Sequence, residues 1–336
     1  MHELERFYAE TSAHILQTIF FGGGTPSLMP PSLTAQLIEK AQTLWCHNDS
    51  LEITLEANPS TAETSRFQAF KDAGINRLSI GIQSFSDNDL HFLGRGHSAN
   101  EGMKAIDMAQ KIFNRVSFDL IYARPSQTLS DWEKELRQGL AFGTTHLSLY
   151  QLTIEPGTAF APRYDRGEII LPEDDLAADM YNLTQAITAE KGLPMYEISN
   201  HAMPGFESQH NLIYWRYEDY VGVGPGAHGR YYNHRWEKIA AEQHKAPNVW
   251  CKKVLNDGSG TIRSTVITEN EQLCERLMMG LRLKEGLSLP DVSFVNEKAL
   301  HTLITSGDLV MEGEHMRLTS QGFPRLNGIL RYLLRR

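Results

Sequence analysis

The stretch Phe20-Phe-Gly-Gly-Gly-Thr-Pro-Ser27 decides the fold, because it joins a short apolar run directly to a run of glycines. Three successive glycines lack every Cβ, so the backbone can adopt positive φ and approach a ligand closely. The stretch is not G-x-G-x-x-G, and no Gly-Lys-Ser/Thr follows it. It therefore supports neither a dinucleotide-binding turn nor a P-loop, and a tight strand-to-helix turn is the alternative interpretation.

Outward from this turn, one unit recurs as far as about Ser199: a short apolar run, a polar loop and an amphipathic helix. Short runs rich in Ile, Leu, Phe or Tyr are typical of parallel strands that are buried on both faces. About six repeats of strand and helix predict an α/β fold with a parallel sheet and right-handed crossovers. The predicted strands are residues 18–21, 51–56, 78–83, 116–122, 147–152 and 195–198.

Capping signals and apolar spacing predict where the helices lie. A serine followed three residues later by a glutamate has the spacing of a capping box, and it occurs at Ser60, Ser98 and Ser130. Residues 1–17 are predicted to form one helix that leads straight into the strand at 18–21. The helix that follows the glycine turn is predicted to carry Cys46 at its far end.

Polar residues stand where four successive predicted strands end. They are Gly22 to Thr25, Glu56, Gln83 and Asp119. An open doubly wound sheet concentrates its ligand contacts at one switch point, whereas a (β/α) barrel collects them at the carboxyl ends of many strands. The pattern therefore favours a partial TIM-like barrel with its site at this end.

The rest of the chain has a different composition. Residues 1–199 are predicted to form the partial barrel, and 200–264 an aromatic and glycine-rich extension packed on it. From 265 to 336 we predict two helices, the first begun by Thr268 and Glu271, then a hairpin. This order indicates a small α+β, winged-helix-like domain, which serves either DNA binding or protein contacts.

Charge and cysteine content exclude several classes of protein. Lys and Arg number 32 and Asp and Glu 41, so the net charge is 32 − 41 = −9, which argues against a nucleic-acid partner. No run of 18 apolar residues predicts a transmembrane helix, and the polar first ten residues do not resemble a signal peptide. The only cysteines, Cys46, Cys251 and Cys274, are far apart, which fits a reducing cytoplasm and excludes a disulfide framework.

Taken together, the motifs resemble a known family. FFGGGTPS at Phe20, EANP at Glu56, GIQSF at Gly81, LGRGH at Leu93 and DLIY at Phe118-Asp119 are similar, in this order, to the radical S-adenosylmethionine enzymes. The branch is that of oxygen-independent coproporphyrinogen III oxidase. The segments His210-Asn-Leu-Ile-Tyr-Trp215 and Gly222-Val-Gly-Pro-Gly-Ala-His228 resemble the HemW-type haem chaperones in this branch. The resemblance covers essentially the whole chain.

The resemblance implies a partial (β/α)6 barrel with a C-terminal extension, and two cofactors. A 4Fe–4S cluster, held by a CxxxCxxC loop after the family's first strand, leaves one iron for S-adenosylmethionine. By motif match, Gly23, Gly24 and Thr25 line the methionyl amine, and Glu56 meets the ribose hydroxyls. Gln83, Arg95 and Asp119 contact the ribose and methionyl ends. A zwitterionic, hydroxyl-rich ligand needs both carboxylates and a cation near it.

The chain departs from the family upstream of Phe20, where CxxxCxxC is absent. Cluster irons need thiolates, and the three separated cysteines do not replace the loop, so no metal ligands are predicted in this chain. It is interpreted either as a truncated product or as a relative that lacks the cluster. Without the family's first strand, residues 19–21 become an edge strand, which predicts self-association, for example as a homodimer.

The resemblance also implies a role in haem metabolism. His210 is predicted to ligate or stack on haem together with Tyr214 and Trp215; a hydrogen-bonded histidine that holds a loop is the alternative. The function expected is that of a HemW-like protein that binds S-adenosylmethionine and haem and delivers haem to acceptor proteins. Two alternatives stay open: a coproporphyrinogen III oxidase that decarboxylates a porphyrinogen, and a non-catalytic binding module without a cluster.

Overall fold

The computed structural model of the chain describes residues 1–289 and 292–335. Its strands are β1 Ile15–Phe21, β2 Cys46–Ala57, β3 Arg77–Gln83, β4 Arg115–Tyr122, β5 His146–Gln151, β6 Met195–Glu197, β7 Asn200–Ala202, β8 His228–Tyr232, β9 Lys238–Gln243, β10 Thr261–Val266, β11 Leu287–Ser288, β12 Leu309–Glu312 and β13 His315–Leu318. Its α-helices are α1 His2–Thr11, α2 Pro31–Leu44, α3 Thr61–Thr64, α4 Phe67–Asp72, α5 Asp87–Phe92, α6 Ala99–Ile112, α7 Leu129–Leu140, α8 Phe160–Asp165, α9 Asp174–Glu190, α10 Gln209–Trp215, α11 Pro247–Asp257, α12 Glu269–Gly280, α13 Glu297–Thr305 and α14 Leu326–Leu334.

The chain forms two compact units, and it passes from one to the other more than once. The first unit consists of Met1–Ile19, Ser32–Glu52 and Ser208–Arg336. The second consists of Phe20–Pro31 and Ile53–Glu207. The second unit therefore holds the carboxyl ends of β1 and β2 together with all of β3 to β7.

A seven-stranded sheet has the strand order β1-β2-β3-β4-β5-β7-β6. Strands β2 to β5 are parallel to one another, and helices connect each to the next. Leu78 and Ile80 on β3 and Phe118 on β4 are almost completely buried, as expected for strands covered on both faces. The prediction of an α/β fold with a parallel sheet is confirmed.

The last predicted strand, β6, is separated from β5 by a short strand, β7, that was not predicted. β6 pairs antiparallel with β7, and β7 pairs antiparallel with β5. Only two residues separate β6 from β7, and a connection this short permits a hairpin but not a parallel crossover. Because β5 and β6 are each antiparallel to β7, residues 195–197 run in the direction predicted for the parallel repeat, but they do not pair directly with β5.

The predicted N-terminal helix is also too long. α1 ends at Thr11, whose hydroxyl donates a hydrogen bond to the carbonyl of Phe7, and β1 begins at Ile15. The run from Ile15 to Phe21 is rich in β-branched and aromatic residues, which suits a strand better than a helix. Cys46 likewise opens β2 and does not end a helix, because α2 stops at Leu44.

Two of the four predicted capping boxes form as expected and two do not. Ser98 with Glu101 and Thr268 with Glu271 make reciprocal capping bonds. At α7 the box is Thr128 with Asp131, two residues before the predicted pair at Ser130. Ser60 makes no capping bond to the backbone of α3. The carboxylate of Glu63 instead accepts hydrogen bonds from the side chain of Ser27 and the backbone of Asn58.

The first unit has its own core and two small sheets. Phe7, Trp45 and Tyr231 meet in one buried cluster with Ile239. Strands β8, β9 and β10 form one antiparallel sheet, and β11, β13 and β12 form another. The hairpin of β12 and β13 with α12 and α13 confirms the predicted α+β segment at the end of the chain. Within the described residues no helix is both long and apolar enough to span a bilayer.

Candidate functional site

A cavity of about 240 Å³ opens where β1 to β5 end, wholly within the second unit. Every residue predicted to contact S-adenosylmethionine lines it. A cavity of this size at the carboxyl ends of parallel strands is the usual place for a small-molecule site in an α/β fold. The lining residues are Gly23, Gly24, Thr25, Pro26, Glu56, Ala57, Asn58, Ser79, Ile80, Gly81, Gln83, Arg95, Asp119, Ser148 and Tyr150.

The glycine turn forms one wall of this cavity. At Gly22 a Cβ atom would lie 2.6 Å from the ring of Phe20, so no larger residue fits there without a shift. Gly23 has a φ of +86° and donates its N–H to Glu56 Oε2 at 3.2 Å. No atom lies within 4 Å of where Cβ atoms on Gly23 and Gly24 would be, so this backbone is open to a ligand.

Gln83 and Asp119 face each other across neighbouring strands. Gln83 Nε2 donates to both carboxylate oxygens of Asp119, at 3.1 and 3.2 Å, and the N–H of Ile82 donates to Asp119 Oδ1 at 2.9 Å. Gln83 has a φ of +64°, a strained conformation for a residue other than glycine. Its Oε1 atom is buried and accepts no hydrogen bond from the described residues. A ligand hydroxyl or amine would supply the missing donor.

The carboxylates give the cavity an affinity for cations. Burial raises the pKa of Glu56, with Asp119 adding to the shift and the Gly23 N–H opposing it. Burial also raises the pKa of Asp119, against the opposing effects of Gln83 and Arg95. Arg95 is exposed at the rim and supplies the positive charge that a ligand carboxylate needs. A ligand with one carboxylate, one ammonium group and a further positive charge would match this arrangement of two carboxylates and one guanidinium.

The sequence analysis missed several lining residues, among them Ser148 and Tyr150. Ser148 and Tyr150 lie on β5, where they alternate with the buried Leu147 and Leu149. Period-two alternation places Ser148 and Tyr150 on one face of the strand. This alternation was visible in the sequence, but it did not show which face looks into the cavity.

The predicted haem residues lie in the first unit, on α10. His210 Nδ1 is 2.8 Å from Thr18 Oγ1, and Nε2 is 3.0 Å from the hydroxyl of Tyr214. The His210 N–H donates to Glu52 Oε1 at 3.0 Å. Both ring nitrogens are thus in contact with hydroxyl groups of the chain itself.

The other two predicted haem residues have different surroundings. Tyr214 packs edge-on against Tyr220, with ring centroids 4.4 Å apart. The guanidinium of Arg282 lies over the ring of Trp215 at 4.6 Å, and Trp215 Nε1 is buried without a hydrogen-bond partner in the described part of the chain. His210 and Tyr214 thus form one aromatic cluster with Tyr220, whereas Trp215 packs against Arg282.

A metal centre is not found among residues 1–289 and 292–335. These residues contain no group of three or more His, Cys, Asp or Glu side chains that could hold a metal ion. Cys46, Cys251 and Cys274 are free thiols, and all three belong to the first unit. They do not fit a cluster that needs three neighbouring thiolates.

Two family models match the chain. The model of the Radical SAM superfamily matches residues 2–138, and that of the HemN C-terminal domain matches residues 267–325. The second match covers α12, α13 and the hairpin that follows them.

Individual proteins extend this result over most of the chain. Radical S-adenosyl methionine domain-containing protein 1, mitochondrial, from Bos taurus is 40% identical over 96% of this chain and 76% of its own length. Heme chaperone HemW from Synechocystis is 38% identical over 87% of this chain and 72% of its own. Among the mitochondrial relatives of zebrafish, cattle and mouse, the chain spans 62% to 76% of their length.

A solved structure shares the fold. Coproporphyrinogen III oxidase (HemN) from Escherichia coli aligns with a TM-score of 0.79 over 98% of this chain and 80% of that chain. Its sequence identity is 19%, so the likeness shows the fold alone. The predicted TIM-like partial-barrel architecture is thereby confirmed.

Proposed function

This chain belongs to the radical SAM family that includes the HemW heme chaperones, and we propose that it binds S-adenosylmethionine and haem and delivers haem to acceptor proteins. The binding of S-adenosylmethionine is supported by the cavity at the ends of β1 to β5. In its wall, Gln83 Oε1 is buried without a hydrogen-bond partner among the described residues. The binding and delivery of haem are supported by the relatives that are named heme chaperone HemW.

The residues of the cavity suit the separate groups of S-adenosylmethionine. The open backbone at Gly23 and Gly24 leaves room for the methionyl group. Glu56 accepts hydrogen bonds from the ribose hydroxyls, and Arg95 pairs with the ligand carboxylate. Gln83 Oε1 and Asp119 take the remaining N–H or O–H donors, so each buried acceptor gains a partner on binding.

When bound, S-adenosylmethionine supplies a sulfonium whose carbon–sulfur bonds can be cleaved. The chain's own contribution is to bind, orient and enclose this ligand, as protein groups do for cofactors in general. The described residues do not fit an iron–sulfur cluster, since no three thiolates stand together. The proposal for this chain therefore rests on ligand binding.

For haem, we propose a site at α10 in which His210 is the iron ligand. A metal-ligating histidine usually has a hydrogen-bond partner on its other nitrogen, which fixes the ring. Thr18 provides such a partner at Nδ1. Nε2 then exchanges its contact with the Tyr214 hydroxyl for iron, while Tyr214 and Trp215 stack on the porphyrin.

Calorimetric titration of the full chain with S-adenosylmethionine tests the first part. Gln83→Asn withdraws the amide by one methylene, and Asn tolerates positive φ, so the fold should persist. We expect affinity to fall about tenfold, as for the loss of one hydrogen bond to a charged ligand. Gln138→Asn, an exposed change on α7, is the control and should leave affinity unchanged. No binding by the unmodified chain would contradict the proposal.

The second part is tested by following the Soret band during haem titration and then adding a haem-free acceptor with a different spectrum. Stoichiometric binding followed by transfer is expected. Binding without transfer would indicate a binding module, and conversion of a porphyrinogen to its decarboxylated product would indicate an oxidase.

A further inference from the structure

We infer that Tyr150 is a specificity-determining residue, whose ring recognises the positive sulfonium of S-adenosylmethionine through a cation–π contact. This inference rests on the proposed function, because it concerns a ligand of the cavity at the ends of β1 to β5. It assigns a separate role to a residue that none of the motifs contains.

The strand register places Tyr150 beside the acidic part of the cavity. On β4 and β5, Asp119 pairs with Ser148 and Ile121 pairs with Tyr150. Ser148 and Tyr150 share a face of β5, and both line the cavity with Asp119. Burial raises the pKa of Tyr150 and the Asp119 carboxylate adds to the shift, as expected for groups that line one cavity.

Tyr150 presents an aromatic surface that the fold itself does not cover. The residue keeps 41% of its surface exposed although it lies in a recess. Tyr150 is the one aromatic residue among the described residues that line the cavity. An apolar ring at the wall of an otherwise polar cavity contributes little to the stability of the empty protein. We therefore expect it to contribute to ligand binding.

A polar network lies beside Tyr150. Burial raises the pKa of Tyr150, and the neighbouring side chains of Ser148 and Asn200 oppose that shift. Ser148 Oγ in turn donates to Asn200 Oδ1 at 2.6 Å, and Asn200 Nδ2 donates to Glu197. Burial raises the pKa of Tyr150 to about 12, so the phenol stays protonated at neutral pH and presents an uncharged ring.

The chemistry of the ligand follows from these neighbours. A cation held over an aromatic face is attracted by the quadrupole of the ring, and the attraction is larger where water is excluded. Glu56 and Asp119 attract positive charge anywhere in the cavity, whereas Tyr150 acts on the one group that sits over its ring. The cavity should thus prefer a sulfonium to the uncharged thioether of S-adenosylhomocysteine.

The test compares the dissociation constants of S-adenosylmethionine and S-adenosylhomocysteine, measured by calorimetry on the full chain. Tyr150→Leu removes the ring, and Tyr150→Phe keeps the ring but loses the hydroxyl. We expect Tyr150→Leu to reduce the preference for the sulfonium about tenfold, the size of one desolvated cation–π contact. Tyr150→Phe should retain most of the preference, because the ring remains.

An unchanged ratio of the two constants in folded Tyr150→Leu would overturn the inference. So would an equal loss of preference in Tyr150→Phe and Tyr150→Leu, since that would assign the effect to the hydroxyl. If Tyr150→Leu does not fold, as judged by circular dichroism, Tyr150→Met replaces it with the same expectation. Failure of the unmodified chain to bind S-adenosylmethionine at all would instead contradict the proposed function.

Discussion

The cavity of the second unit and the histidine cluster on α10 differ in how fully their polar atoms are used. In the cavity, Gln83 Oε1 is buried and receives no hydrogen bond from the part of the chain that the structure describes, and the backbone at Gly23 and Gly24 faces open space. On α10, both ring nitrogens of His210 contact hydroxyl groups of the chain. The cavity is therefore prepared for a ligand, whereas the α10 cluster must give up a contact to accept one.

The two sites therefore differ in the free-energy cost of binding a ligand. A ligand that enters the cavity satisfies an acceptor that is unsatisfied in the empty protein, so the fold gains on binding. A ligand at His210 first displaces the Tyr214 hydroxyl, which lowers its net affinity. Backbone strain differs between the two sites in the same way. Gln83, in the cavity, has a positive φ, whereas residues 209–215 of α10 do not. Strained residues are concentrated at functional sites.

The largest effect is expected when the acidic wall of the cavity is removed. Asp119→Ala takes away a carboxylate and leaves Gln83 Nε2 and the Ile82 N–H without their acceptor. Losing a charged partner costs about 2–3 kcal/mol, so S-adenosylmethionine should bind about 30- to 150-fold more weakly. Calorimetry measures this change, and Asp131→Ala, an exposed substitution at the start of α7, serves as the control. Similar affinities in both variants would contradict a site at this cavity.

The second prediction addresses the occupied cluster. If His210 ligates iron, His210→Ala should weaken haem binding by about 1–3 kcal/mol, and Tyr214→Phe should strengthen it several-fold by removing the competing hydroxyl. Soret titration of both variants, with melting temperature recorded in parallel, measures the two effects. If His210 only holds its helix in place, both variants melt earlier and haem affinity does not change.

The sequence was sufficient to predict most of the site because its signals are local. The glycine turn, Glu56 and Gln83 stand at the ends of β1, β2 and β3, and strands that end together bring their ends together. Asp119 lies within β4, on the strand next to Gln83. Tyr150 was missed for a non-local reason: its role depends on which neighbouring strand faces it, and the register of β4 and β5 is a property of the assembled sheet.

The errors in the prediction have the same origin. Ser60 and Glu63 have capping-box spacing, but Glu63 bonds to Ser27, which lies 36 residues away in the sequence. A tertiary partner thus replaced the local one. Strand β7 was missed because its three residues, Asn-His-Ala, form no apolar run, and its antiparallel direction follows from the two-residue connection to β6.

The third prediction uses pH to separate binding from stability in the cavity. Burial raises the pKa values of Glu56 and Asp119, so the folded state holds these protons more tightly than the unfolded state. Stability from these two groups is therefore fully present below their unfolded-state pKa values and is lost as the pH rises through their folded-state pKa values. Cation binding needs the ionised forms, so its dependence has the opposite sign.

When the pH is lowered from 7 until Glu56 and Asp119 take up protons, we expect the affinity for S-adenosylmethionine to fall about threefold to tenfold. Calorimetry at constant ionic strength measures it, and Glu56→Gln should flatten the profile by removing one titrating group. An affinity that rises on acidification would show that carboxylates do not hold the cation.

The smallest effect concerns the loop after β4, where the backbone rather than the ligand decides. Ala123 has a φ of +55°, a conformation that favours glycine because it brings the Cβ close to the backbone carbonyl. Ala123→Gly removes this clash but gives the unfolded chain more freedom, so the net gain should be about 0.5–1 kcal/mol. Ala178→Gly, within helix α9, has no strain to relieve and should lower stability by about 1 kcal/mol. Chemical denaturation of both variants measures whether each substitution raises or lowers the free energy of unfolding. Equal destabilisation would mean that Ala123 carries no strain, and that strain near the cavity is confined to Gln83 and its ligand-facing wall.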